Sequence, residues 1–261
     1  KIEEAANLVQ WGQDQEGKVM EFYAVTNLWP AENAIREADK QGAFIFWNHP
    51  SWTAQRSDGI AILDPIHEKL INEKLLHGIE VINGGFYSEE AFQIALDNKL
   101  TVMGTSDVHN LIDWDYEPHS GGHRPVTLIL SKARNEGSIK SALFSRRTVV
   151  WYKDLLIGEE KNVDMLVKAC LEISSASYMY SSSVLKVKIK NNSDTKFTLK
   201  NKSGFTIAND DDYIEVPPQD TVTIEVNTLK RLSEIDLDLI VLNAITAPKE
   251  NLSLTLSKRI K

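Results

Sequence analysis

Leu100-Thr101-Val102-Met103-Gly104-Thr105-Ser106-Asp107-Val108-His109 is an apolar run of strand length that ends in polar residues. Just before it, Glu89–Asn98 carries apolar side chains at helical spacing, and Ser88 followed by Glu89 and Glu90 reads as an N-cap with an acidic first turn. The same unit recurs on either side. Residues 43–47, 78–83 and 125–130 are short apolar runs rich in Val and Ile, and residues 32–41, 65–76 and 138–145 have helical spacing. Strands that are apolar throughout and alternate with helices predict parallel βα units, whose ligands lie at the carboxyl ends of the strands.

The strand ends carry the chemistry. Residues 43–47 run into Asn48-His49-Pro50, residues 78–82 into Asn83-Gly84-Gly85, and the opening stretch into Asp107-Val108-His109. Parallel neighbours would bring His49, Asp107 and His109 to one rim. Imidazole nitrogen and carboxylate oxygen suit a divalent zinc, iron or manganese ion. A lone His before Pro is commonly a packing residue, so two such sites on one βα series carry the reading. His67 and His77 fall in or at the end of the helix expected over 65–76, where a cation favours the dipole, and are read as structural. His119, His123 and Arg124 occupy a polar loop after His109. From there the guanidinium or an imidazole can reach a phosphate. Trp47, Trp52 and Trp114 fall near the same rim in sequence and suit either a pocket or the core.

The later residues read differently. Leu185, Val187 and Ile189 alternate with Lys186, Lys188 and Lys190, and Val222/Ile224/Val226 and Leu252/Leu254/Leu256 repeat the pattern. Polar turns at 191–194 and 217–220 separate them. A two-residue period with one wet face predicts an antiparallel sandwich without catalytic groups. All six histidines lie between residues 49 and 123, all six tryptophans at or before Trp151, and twelve of thirteen glycines before Ala169. The expectation is two domains joined near 158–174: an α/β domain over 1–165 and a β-sandwich over 170–261.

Composition sets the outer limits. With 261 residues, 42% hydrophobic and 25% charged, the chain has ordinary globular usage and can bury a core without disulfides, which the single Cys170 could not supply. A net charge of −8 argues against a general nucleic-acid binder and not against cations. No apolar run approaches the roughly 20 residues of a membrane span, and the start lacks a signal-peptide pattern, so a soluble chain is expected. It opens on Lys1 instead of Met, which the reading attributes to removal of an upstream piece.

Phe46-Trp47-Asn48-His49-Pro50, Gly78-Ile79-Glu80-Val81-Ile82-Asn83-Gly84 and Gly104-Thr105-Ser106-Asp107-Val108-His109 resemble, in order and spacing, the later motifs of the polymerase and histidinol phosphatase (PHP) family of metal-dependent phosphoesterases. The stretches 123–128 and 147–154 resemble its secreted or envelope members that end in a small β domain. The resemblance implies a distorted parallel (β/α) barrel and divalent metal ions (Zn, Mn or Fe) at its rim. It implies His49, Asp107 and His109 as metal ligands, Asp107 and His109 as catalytic groups, and Glu80 as a residue that shapes the rim. It further implies a small phosphorylated substrate, a phosphomonoester or phosphodiester, and a secreted or periplasmic location that composition does not distinguish from the cytoplasm.

The family's opening His-X-His motif has no counterpart, because no histidine precedes His49. Of the early acids Glu3, Glu4, Asp14, Glu16 and Glu21, only Glu21 sits before a strand-like run, at 22–26. Either the metal-binding N-terminal part lies outside this chain, or the protein is a degenerate relative acting as a binding or scaffold protein. A metal-dependent amidohydrolase would share the same site.

Overall fold

The computed structural model describes residues 30–208 and 212–260. Glu3, Glu4, Asp14, Glu16, Glu21 and the strand expected at 22–26 lie outside the described residues. The chain forms two compact units, the first containing Asp64–His77 together with the residues up to Ile45, the second Phe46–Leu63 and Gly78–Lys261.

In the first unit, helices α1 (Ala31–Lys40) and α2 (Pro65–Asn72) are joined by Lys69–Glu32 at 2.8 Å and by Arg36, which pairs with Glu32 and Glu73. Asp64 caps α2, Pro65 occupies its first turn, and His67 Nδ1 accepts from Asp64 N at 3.1 Å, closing a capping box. His67 is thus a cap. The helix stops four residues short of the expected 76, because Lys74 takes a left-handed conformation and Leu75 N–H turns back to Leu70 O. His77 therefore lies beyond the helix. Its Nδ1 accepts from Ile45 N at 3.0 Å, its ring stacks on Phe44, and burial holds its pKa below the usual value. It acts as a neutral acceptor and not as the expected cation at a helix end.

In the second unit, β2 (Gly78–Asn83) is the centre of an open four-stranded sheet. One edge pairs in parallel with β4 (Thr101–Thr105), the other in parallel with β1 (Phe46–Trp47) and then antiparallel with β3 (Phe86–Tyr87). Helix α3 (Glu89–Asn98) covers it with Ala91, Phe92 and Ala95, and Ser88 Oγ caps Ala91 N at 3.1 Å, worth about 1 kcal/mol. The barrel is not closed among the described residues. A short helix α4 (Ile112–Asp115) and a 3₁₀ turn (Pro118–Ser120) lead to β5 (Val126–Ile129), which was expected to extend the parallel series. It instead runs antiparallel to β6 (Thr148–Tyr152), with α5 (Glu136–Phe144) between them.

β6 continues through β7 (Leu155–Ile157) into a seven-stranded sheet, because β7 pairs in parallel with β14 (Glu234–Ala247). Beyond α6 (Glu160–Cys170), strands β10 (Phe197–Asn201), β12 (Tyr213–Val216), β14 and β15 (Glu250–Arg259) belong to that sheet. β8 (Leu171–Tyr178), β9 (Val184–Asn191), β11 (Thr206–Ala208) and β13 (Thr221–Asn227) form the other layer. The expected alternation holds: Leu185, Val187, Ile189, Leu252, Leu254 and Leu256 are buried between the layers. Val149, Leu156, Val163 and Val167 join the same core.

Candidate functional site

β1 leaves the sheet at His49, whose backbone is left-handed (φ +35°), and β4 leaves it at Asp107, also left-handed (φ +48°). Such a backbone is uncommon outside glycine, and a pair of them at the ends of the two strands that flank β2 marks a constrained rim. Glu80 holds the rim together. Its side chain, on a residue only 2% exposed, accepts from His49 N at 2.5 Å and Asn83 Nδ2 at 3.1 Å through one oxygen, and from Thr105 Oγ1 through the other. One carboxylate therefore ties the exits of all three parallel strands.

Beyond β4, Tyr116 Oη donates to Ser106 O at 2.7 Å and fixes the turn that presents Asp107. Burial first, then Tyr152, Asp115 and Asp107, push the Tyr116 hydroxyl up, so it stays a donor. His109 Nε2 stands 3.6 Å from Asp107 Oδ1, on a side chain 84% exposed. After β2, Gly85 takes a φ of +105° that side-chain-bearing residues rarely adopt, and a Cβ there would also come within 2.8 Å of Tyr152 Oη.

A cleft of about 300 Å³ opens beside Glu80, lined by His49, Ser51, Trp52, Phe86, Tyr87 and Glu90 among others. The His49 ring meets Trp52 edge-on at 5.2 Å. Burial, with Glu89 and Glu90 adding to it, raises the Tyr87 hydroxyl's pKa strongly.

The structure thus brings Asp107 and His109 together and sets His49 in the cleft, linked to them through Glu80. His123 is half-committed elsewhere: its Nδ1 accepts from Lys153 N at 3.3 Å, its ring packs on Trp151 at 4.2 Å, and burial lowers its pKa. Arg124 lies near enough to Tyr116 to act on its charge, and His119 is exposed on the 3₁₀ turn. Trp114 is exposed and Trp52 half-exposed. Sequence reading missed Tyr87, Ser51 and Tyr116, hydroxyls with no motif to announce them.

For a metal ion the donor chemistry fits. His49 Nδ1 is buried without a partner, and Asp107 with His109 offers carboxylate and imidazole on a turn held in place. Among the described residues, however, no three His, Cys, Asp or Glu side chains are grouped closely enough to hold an ion. No helix among them is long and apolar enough to cross a membrane.

Residues 171–257 match the family model of an Ig-like domain, DUF5001. The structure is similar to the crystal structure of a two-domain protein containing a predicted PHP-like metal-dependent phosphoesterase from Bacteroides vulgatus ATCC 8482. The two are 34% identical over 88% of this chain and 66% of that one, with a TM-score of 0.79. This chain thus spans slightly less than two thirds of that protein's length. No curated protein matches it. The chain has a two-domain fold similar to that of the PHP-like protein, with an Ig-like C-terminal domain.

Proposed function

We propose that the carboxyl edge of the parallel strands is the hydrolytic site of a PHP-type phosphoesterase acting on a small phosphorylated molecule, with His49, Asp107 and His109 holding a divalent metal ion. The observation that carries this reading is the Glu80 bracket, which ties His49 after β1 and Thr105 at the end of β4, two residues before Asp107, to the central strand β2 that lies between them. The likeness to the Bacteroides vulgatus protein supports the class. The fold that goes with the reading is a PHP-type barrel over residues up to about 165, a sandwich over 170–261, and a secreted or periplasmic location.

A bound dication supplies Lewis acidity toward the phosphoryl oxygens and a water of lowered pKa. The chain's own groups do the rest. An imidazole bound to the ion has no proton to give, so where His109, exposed 3.6 Å from Asp107, acts as the acid toward the leaving oxygen, the ion would rest on His49 and Asp107. Arg124 can pair with a phosphate bidentately, and His123 keeps Nε2 for a further hydrogen bond, since Nδ1 is spent on Lys153. Tyr116 and Glu80 position the strand ends that carry these groups.

One observation favours a second reading. It is a degenerate relative that binds without hydrolysing, and it is kept because Asp107 and His109 stand together while His49 faces the cleft beside Glu80. Metal content of the isolated chain separates the two, a binding protein carrying far less than one equivalent. The deciding assay is hydrolysis of p-nitrophenyl phosphate and bis(p-nitrophenyl) phosphate with added manganese, zinc or iron. Slow metal-dependent turnover is expected, reduced roughly a hundredfold or more by Asp107→Ala. Turnover indifferent to Asp107→Ala would refute the site.

A further inference from the structure

The cleft beside Glu80 is built unlike a phosphate pocket. Among the described residues its wall holds two carboxylates, Glu80 and Glu90, and no lysine or arginine, so it repels an anion and admits a neutral group. Two aromatic side chains in that wall remain open to solvent, Trp52 at 51% and Phe86 at 83%. Exposed aromatic surface of this kind marks a place where something packs.

The polar groups point the same way. Five buried side-chain polar atoms among the described residues have no hydrogen-bond partner, and three of them, His49 Nδ1, Ser51 Oγ and Tyr87 Oη, belong to the wall of this one cleft. Buried polar groups are normally paired, and a partner entering the cleft removes the cost of leaving them unpaired.

We infer that this cleft binds the pyranose ring of a neutral sugar, the moiety that carries the phosphoester in the substrate. The inference rests on the proposed hydrolytic site for where the phosphate lies. The apolar C–H face of a pyranose packs on Trp52 and Phe86. Its hydroxyls, each both donor and acceptor, match Ser51 Oγ and Tyr87 Oη, with the Glu90 carboxylate as a further acceptor. Tyr87 stays protonated and so can donate. A nucleobase would also stack, but it asks for several amide-type groups in the plane of its ring, and the wall offers a single amide, Asn83, one N–H of which is held by Glu80. About 300 Å³ is the lower end of small-molecule sites and suits one ring.

The test uses the full chain in EDTA, titrated calorimetrically and by saturation-transfer NMR with the methyl α- and β-pyranosides of glucose, galactose and mannose, and with adenosine. At least one glycoside should bind saturably, with affinity falling about tenfold in Trp52→Ala and in Tyr87→Phe and unchanged in Trp114→Ala, which lies outside the cleft. Thermal melts check that the variants fold. Binding of none of the glycosides, equal binding by wild type and both cleft variants, or binding of adenosine in their place would overturn the assignment. Because no metal or hydrolysis enters the measurement, its failure leaves the phosphoesterase reading standing, and failure of that reading leaves glycoside binding measurable.

Discussion

Glu80→Ala removes the acceptor of three hydrogen bonds at once and leaves His49 N, Asn83 Nδ2 and Thr105 Oγ1 to find other partners. A hydrogen bond to a charged acceptor contributes about 1.5–3 kcal/mol. The three are not additive, because donors at a rim regain some water, and the expected loss is about 3–5 kcal/mol, the range for breaking a buried charged network. Glu80→Gln is the informative comparison. Its carbonyl can still accept from His49 N and Asn83, and its amide can donate to the Thr105 hydroxyl, so the bracket survives with neutral bonds and the loss should be roughly 1–2 kcal/mol. Urea denaturation at constant m-value gives the global effect. Hydrogen exchange of the His49 amide gives the local one, since that N–H points at Glu80. If local opening governs exchange, it should speed up on the order of a hundredfold in the alanine variant and about tenfold in the glutamine variant. An unchanged His49 exchange rate in Glu80→Ala, or a glutamine variant as damaged as the alanine, would refute the bracket.

Two further outcomes follow from the same geometry. A Cβ at Gly104 would lie 2.3 Å from Val150 Cγ1, so Gly104→Ala should destabilise by about 1–3 kcal/mol, and adding Val150→Ala should recover part of that; additive losses in a double-mutant cycle would show that the clash is relieved elsewhere. His77 is held below its usual pKa by burial, so the unfolded chain takes up a proton near pH 6.5 before the folded one does. Stability present above about pH 6.5 should fall as pH drops through the folded value, seen as a lower urea midpoint at pH 5.5 than at 7.5 that His77→Phe abolishes, and an NMR titration midpoint for His77 above 6.5 would contradict it.

Much of this was legible in the sequence where a local signal exists. Gly78–Asn83 and Glu89–Asn98 fall where periodicity and the Ser88 cap put them. The end of α2 was misread because its left-handed terminator is Lys74 and not glycine. Lys99 and Arg146 end α3 and α5 in the same way, with Leu100 N–H turned back to Ala95 O and Arg147 N–H to Ala142 O. An apolar run has no direction written in it, so 125–130 gave no sign that its partner is the antiparallel 148–152. At the site, His49, Asp107 and His109 stood out as ligand-type residues at strand ends. Tyr87, Ser51 and the hydrogen bonds that Glu80 accepts did not, because their meaning lies in who faces them across the fold.

The route from the Ig-like strands to the rim shows what the second domain does for the first. β14 is long enough to pair with β10 and β15 and then, at Ala244 and Ile245, with β7. Asn243 locks that corner, donating to Asp154 O and Lys196 O and accepting from Thr198 N. β7 pairs with β6, and β6 supports β4 directly: Thr148 Oγ1 donates to Val102 O at 2.7 Å, and Val150 packs where Gly104 has no side chain. β4 then delivers Thr105 to Glu80 and Asp107 to the rim. Val149, Val163 and Val167 share the sandwich core, so the strands that position Asp107 owe part of their burial to residues beyond 170. The Ig-like part is therefore a structural support of the rim, because the sheet it completes is the one against which the Asp107 strand rests.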